Sequence, residues 1–303
     1  MSKWIEVSLT VDGEAAEAVA EILARYAHQG VAIEQPLKEE IWPDEPVGEG
    51  PLIVKAYLLA STTSDETIQK IREGLYFAGR LYPIPEPVIS TVDEEDWANA
   101  WKQHYHPIRV GKRLLIRPPW ADVELNEGDI EIIMDPGQAF GTGTHPTTQL
   151  CLQACEWFCR PATSMLDLGA GSGILSIAAA KLGCFRVIAR DIDEAAVVAA
   201  QENVERNQVD DAVIVQHGSL AGLVTSSRHF DLAMANITAN VITDLAGQGL
   251  QHVVWPGGKF IFSGIIDEQA EDLITKLDSI GLKLLDTRTL GDWVMLITRR
   301  AIP

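Results

Sequence analysis

No run of apolar residues in this chain approaches the roughly 20 needed to cross a bilayer as a helix, and the opening residues lack the basic and apolar regions of a secretory signal. Membrane attachment and export are therefore not expected, and the cytoplasm is the expected location. Only four cysteines occur, in no paired framework, which fits small core hydrophobes in a reducing compartment better than disulfides. Positive charge is also scarce: 24 Lys and Arg stand against 43 Asp and Glu, a net −19. A phosphate backbone is bound by surplus Lys and Arg, so direct nucleic-acid binding is not expected, and a basic partner suits this surface better. Acidity that serves only solubility remains an equal reading, because net charge is a weak guide to partners.

What is present is the balance of an ordinary globular protein, 47% hydrophobic and 22% charged over 303 residues, enough for one large core and a smaller companion. The first 92 residues read as two similar halves. WIEVSLTV alternates like a strand, EAAEAVAEILARYAHQ has helical spacing, and GVAIEQ is extended; PLIVKAYLLA, DETIQKIREGLYFAGRL and PVISTV repeat the order. The β-α-β-β-α-β order predicts a small α+β, ferredoxin-like domain over 1–92. A proline- and acid-rich stretch at 36–51 reads as an exposed loop. Residues 93–112 read as a linker helix and connection. Trp97 and Trp101 on one helix face fit packing against a neighbouring domain better than a substrate platform.

From residue 113 to 303, strands alternate with helices, the pattern of a doubly wound parallel sheet. SMLDLG, RVIARDID, AVIVQHG, FDLAMANI and GKFIFSGI supply five strands, and LKLLDTRT with DWVMLITRR adds a terminal antiparallel hairpin. Helices are expected at ILSIAAAKLG, EAAVVAAQENVERNQ, TDLAGQGLQHVV and DEQAEDLITKLDSIG. Cys151, Cys155 and Cys159 recur every four residues along another helical stretch, which is core packing and not the uneven loop spacing of an iron–sulfur cluster. No metal site is expected.

Strand SMLDLG runs directly into Gly169-Ala170-Gly171-Ser172-Gly173 and then a helix. Glycines allow a sharp turn and close backbone approach, and the helix start presents unpaired N–H groups. Glycine-rich turns are common, so the loop gains meaning from Asp191, which ends the next strand where an acid can bond ribose hydroxyls. Loop and acid together imply a nucleoside cofactor. The dinucleotide fingerprint G-x-G-x-x-G fails at Ile174, and no Gly-Lys-Ser/Thr ends the turn as a P-loop requires.

Three further segments resemble one family. Asp135-Pro-Gly-Gln-Ala-Phe-Gly-Thr-Gly-Thr-His-Pro-Thr-Thr148, then Asp167-Leu-Gly-Ala-Gly-Ser-Gly-Ile-Leu with Asp191-Ile-Asp, and Ala235-Asn236-Ile237 are similar to the motifs of the ribosomal protein L11 methyltransferases. The likeness spans about residues 93–300. It implies a Rossmann-like, seven-stranded S-adenosylmethionine-dependent methyltransferase domain. S-adenosylmethionine would be held by Thr148, Gly169, Asp191 and Asn236, with Asp167, Gly171 and Gly173 in the same turn and the Phe140-to-Thr144 loop over its methionine end. The resemblance further implies methylation of lysine and N-terminal amines of a basic large-subunit ribosomal protein, with Asn236 positioning the amine. Related amino-methylating enzymes carry Asn-Pro-Pro-aromatic where this chain has Asn236-Ile237-Thr238-Ala239, so contacts beyond Asn236 stay open, as does a plain strand-end role for Asn236. His104, His106 and His145 lie near the expected entrance as proton acceptors or as structural histidines. A small-molecule N-methyltransferase and a non-catalytic nucleoside-binding module remain the alternatives.

Overall fold

The structure is a computed structural model that describes residues 3–27, 31–34, 52–79, 84–93, 106–135, 142–225 and 228–302. The 36–51 loop, Trp97, Trp101, His104 and Phe140 lie outside the described residues. The chain divides into two compact units, Met1–Tyr105 and His106–Pro303. Among the described residues no helix is long and apolar enough to cross a membrane.

In unit 1, β1 (Lys3–Val11), α1 (Gly13–Ala24), β2 (Val31–Glu34), β3 (Leu52–Leu59), α2 (Asp65–Ala78) and β4 (Val88–Asp93) follow in order. The sheet runs β2-β3-β1-β4 with every neighbour antiparallel. Alternation in β1 turns Val7, Leu9 and Val11 inward, where they meet Val19 and Leu23 of α1 and Ile71 and Leu75 of α2. Each such buried aliphatic side chain contributes roughly 1.5–3 kcal/mol. Both helices begin on side-chain caps: Asp12 accepts from Ala15 N at 2.9 Å and Ser64 from Thr67 N at 3.2 Å.

Unit 2 opens with three short strands, β5 (Ile108–Val110), β6 (Leu114–Arg117) and β7 (Ile130–Ile133), in a small sheet of their own. Neither this sheet nor the start of β5 inside the expected 93–112 connection follows from the sequence pattern, because strands of three or four residues carry too little periodicity. Two side chains tie the small sheet to the helices behind it. Glu156 accepts from the backbone N–H groups of Lys112, Arg113 and Leu114, and Asn207 bonds both the N–H and the C=O of Ile133.

The large sheet comprises β8 (Ser164–Leu168), β9 (Arg186–Asp191), β10 (Val213–His217), β11 (Phe230–Asn236), β12 (Val254–Ile266), β13 (Leu282–Leu290) and β14 (Trp293–Arg300), in the order β10-β9-β8-β11-β12-β14-β13. The five expected parallel strands are in place, and the terminal hairpin closes antiparallel with β14 inserted between β12 and β13. Helices α3 (Pro146–Phe158), α4 (Ile174–Lys181) and α5 (Glu194–Arg206) cover one face. The other face is covered by α6 (Ala221–Thr225), α7 (Ala239–Ala246) and α8 (Asp267–Ser279). Consecutive strand residues therefore bury on opposite sides, Met165 and Val187 toward α3 to α5, Leu166 and Ile188 toward α6 to α8. That is why these strands read as continuous apolar runs.

Two helices depart from expectation, the first being α6, which lies in no segment expected to be helical. The stretch 243–254 is not one helix: α7 starts earlier, after Thr238, and ends at Gly247, and a 3₁₀ turn at Leu250–Val253 leads into β12. Gly249 at φ +88° breaks the helix between them. The cysteine reading agrees with the structure: Cys151, Cys155 and Cys159 are buried along α3 and its end, and all four thiols are free.

Candidate active site at the strand switch point

Chain order reverses between β8 and β11: from β8 the chain winds outward through β9 and β10, then returns to β11 on the other side. Such a reversal leaves a crevice at the carboxyl ends of the two strands, where ligands of doubly wound sheets bind. Gly169, Gly171 and Gly173 lie there with φ of +76°, +53° and +80°, the left-handed region that side chains resist. Two of them are also hemmed in. A Cβ on Gly169 would stand 2.5 Å from Cγ2 of Ile237, and one on Gly173 would stand 3.2 Å from Cβ of Ala200. The glycines thus let the loop turn and let α5 and the end of β11 close in on it.

Asp191 meets this loop from β9. Its Oδ2 accepts from Gly171 N at 2.9 Å and its Oδ1 from Asp193 N at 3.0 Å. The carboxylate therefore fastens the glycine turn to the turn after β9. Each carboxylate oxygen keeps a second lone pair for an outside donor, and the residue is partly exposed. Asp167, at the end of β8, sits differently: its side chain is 1% exposed and accepts from Ser176 Oγ at 2.7 Å. Burial pushes its carboxyl up to about 6 against that hydrogen bond, and the charge of Asp191 adds to the rise.

On the other side of the crevice, Asn236 ends β11, and its Nδ2 donates to Oγ1 of the buried Thr148 at 3.3 Å. Thr148 lies in the first turn of α3, whose N-cap is His145. His145 Nδ1 accepts from Thr147 N at 3.3 Å, and its ring lies edge-to-face on Trp293 with centroids 4.8 Å apart. Burial lowers its pKa. Thr144 is exposed in the loop before the helix; its carbonyl accepts from Gln149 Nε2 at 2.9 Å. His106, at the start of unit 2, is exposed.

Two side chains at this crevice had no signal in the sequence: Ser176, which holds Asp167, and Trp293, which packs on His145 from the final strand. The contact of Ile237 with Gly169 was equally silent, though an aliphatic residue beside Asn236 in place of proline marks the position.

These motifs sit in one continuous match. The family model described as ribosomal protein L11 methyltransferase (PrmA) matches residues 3–301. The chain belongs to this family. The ribosomal protein L11 methyltransferase of Herpetosiphon aurantiacus is 41% identical over 321 residues, covering 99% of this chain and all of that protein. That of Pelotomaculum thermopropionicum is 41% identical over 310 residues, covering 98% and 99%. A crystal structure of the ribosomal protein L11 methylase of Lactobacillus delbrueckii subsp. bulgaricus is 34% identical, with a TM-score of 0.59, and covers 65% of this chain and all of that one.

As a member of the L11 methyltransferase family, the chain is a methyltransferase whose methyl donor is S-adenosylmethionine. The crevice suits such a group on its own terms. The glycine turn leaves backbone open to close approach, and Asp191 offers lone pairs to paired hydroxyls. Two carboxyl groups, Asp167 and Asp191, favour a ligand that carries a positive sulfonium.

Proposed function

We propose that this chain methylates amino groups of ribosomal protein L11, on lysine side chains and at the N-terminus. Membership in the family supports the substrate. The observation that carries the amine is the Asn236–Thr148 pair. Nδ2 has a partner in Thr148, and among the described residues Oδ1 has none, which leaves Oδ1 as an acceptor for an incoming donor. An acceptor at that position orients an incoming N–H and leaves the nitrogen lone pair free to attack.

S-adenosylmethionine supplies an activated methyl group on a good leaving group, so the protein's task is alignment more than acid or base chemistry. In this reading Gly169, Gly171 and Gly173 cradle its backbone-sized parts, Asp191 takes the ribose hydroxyls, and Thr148 with Asn236 borders the reacting end. Phe140 and Thr144 belong to the loop that covers the methionine end, and Asp167 acts from beneath the turn through its charge. The larger demand is a neutral amine. At pH 7 a lysine near pKa 10.4 costs about 4–5 kcal/mol to deprotonate and an α-amino group near 8 only about 1–1.5 kcal/mol. A buried crevice next to a positive charge lowers that cost for both.

Unit 1, with its ferredoxin-like element order, serves as the substrate-recognition domain over 1–92, joined by 93–112 to the catalytic domain over 113–303. A protein substrate needs more contact area than the crevice offers. The net charge of −19 suits a basic protein partner in the cytoplasm and disfavours nucleic acid.

The test is incubation of the purified chain with labelled S-adenosylmethionine and separated ribosomal proteins, followed by mass mapping. Label on lysines and the N-terminus of L11 is expected. Label on a different protein only, or on free amines with L11 untouched, overturns the substrate assignment.

A further inference from the structure

The two aromatic residues near the end of α2 face water. Tyr76 is 71% exposed and Phe77 62%, their rings edge-to-face with centroids 5.8 Å apart. The inward face of α2 is already taken by Ile71 and Leu75, so the next two positions turn outward by the helical rotation. Val88, at the start of β4, is 65% exposed. Between α2 and the approach to β4 runs a groove of about 160 Å³ lined by Arg72, Tyr76, Ile84, Pro85 and Glu86 among others.

Grouped aromatics left in water forgo several kcal/mol of burial and mark contact surfaces, where tyrosine and phenylalanine are enriched. Charge indicates what covers them. Residues 1–105 hold 19 Asp and Glu against 8 Lys and Arg, a net −11 of the chain's −19; Glu86 and Arg72 line the groove and Glu73 lies one helical turn before Tyr76 and Phe77, all three exposed. Two exposed carboxylates against one guanidinium around the aromatic pair, on a unit of net negative charge, fit a basic protein segment that carries one apolar side chain.

We propose that this face of unit 1, centred on Tyr76, Phe77 and the adjacent groove, is the docking surface for the basic ribosomal-protein substrate. A lysine-bearing segment lays an apolar side chain into the groove while Glu73 and Glu86 take its positive charges. The assignment rests on the function proposed above and locates its recognition step.

Two full-length variants test it, Tyr76→Ser with Phe77→Ser, and Glu73→Lys with Glu86→Lys. KM and kcat for intact L11, calorimetric binding of S-adenosylhomocysteine and thermal unfolding are measured for each. KM is expected to rise tenfold or more in both, with kcat and S-adenosylhomocysteine affinity unchanged. The loss in the charge-reversed variant is expected to shrink as salt rises, since screening weakens the new repulsion. A wild-type KM in a folded aromatic variant overturns the docking face and leaves the function standing. If the aromatic variant fails to fold, the charge-reversed variant decides by the same criterion. No methylation of L11 by the wild-type chain overturns the proposed function, and the docking face with it.

Discussion

Asn236 and Thr148, 88 residues apart in the chain, share a 3.3 Å hydrogen bond that joins the end of β11 to the first turn of α3. The bond gives the Asn236 amide nitrogen a partner in Thr148. Asn236→Ala removes the acceptor and is expected to lower kcat by about two orders of magnitude, the loss that an ångström-scale misplacement of a reactant can cause. Thr148→Val leaves the amide free to turn and is expected to cost less, about tenfold, with Thr148→Ser restoring most of it. Single-turnover kinetics on L11 read both. Wild-type turnover in Asn236→Ala removes the residue from the reaction.

Gly169 is held to glycine twice over, by its φ of +76° and by Ile237 at 2.5 Å from the missing Cβ. Gly169→Ala is expected to destabilise the chain by roughly 1–3 kcal/mol and to weaken S-adenosylhomocysteine binding, because the turn shifts. In an Ile237→Ala background the steric part disappears and only the backbone part remains. Denaturant unfolding of the four chains in the cycle separates them. Equal losses in both backgrounds would show that the contact with Ile237 carries no energy.

Legibility in the sequence followed the range of the interaction. The glycine turn and Asp191 could be read from the residues alone, since strand, turn, helix and strand follow within 30 residues and the fold then leaves few choices. Thr148 and Asn236 were reached only through resemblance, because nothing local signals a pairing across 88 residues. The burial of Asp167 is hidden for a different reason: its partner is only nine residues on, but Ser176 looks like any serine in a helix. The start of α7 carries little local signal, because Thr238 sits at its N-cap without a side-chain capping bond. His145 is the N-cap of α3, a structural place for one of the three histidines near the entrance.

Asp167 gives a pH signature. Its folded carboxyl lies at about 6 against an ordinary 3.8. Between those values the folded chain keeps a proton that the unfolded chain has lost, so this group's contribution to stability falls as pH rises from about 4 to 6 and stays low above it. Asp167→Asn keeps an acceptor for Ser176 and removes the buried charge. The variant is expected to gain of order 3 kcal/mol over wild type at pH 7, and the gain should vanish below pH 4. Urea unfolding of both proteins from pH 4 to 8 measures this. Parallel curves would mean that Asp167 does not titrate in the window.

In the proposed function Asp191 takes the ribose hydroxyls of the cofactor. Its carboxylate accepts from Gly171 N and Asp193 N, so Asp191→Ala is expected to weaken binding for two separable reasons: the ribose would lose an acceptor and the two turns would lose their tie. A hydrogen bond to a charged group is worth roughly 1.5–3 kcal/mol, so a loss of about 10- to 100-fold in S-adenosylhomocysteine affinity is expected for the ribose part alone. A cycle isolates that part. S-adenosylhomocysteine lacking one ribose hydroxyl should bind the wild-type chain more weakly than the parent compound, whereas Asp191→Ala should bind the two alike, because the acceptor that told them apart is gone. Loosening of the turns lowers both affinities together and cancels in the comparison. If the variant still discriminates between the two ligands as the wild type does, the ribose is gripped by another group, and Asp191 serves the crevice only as the clasp between its two loops.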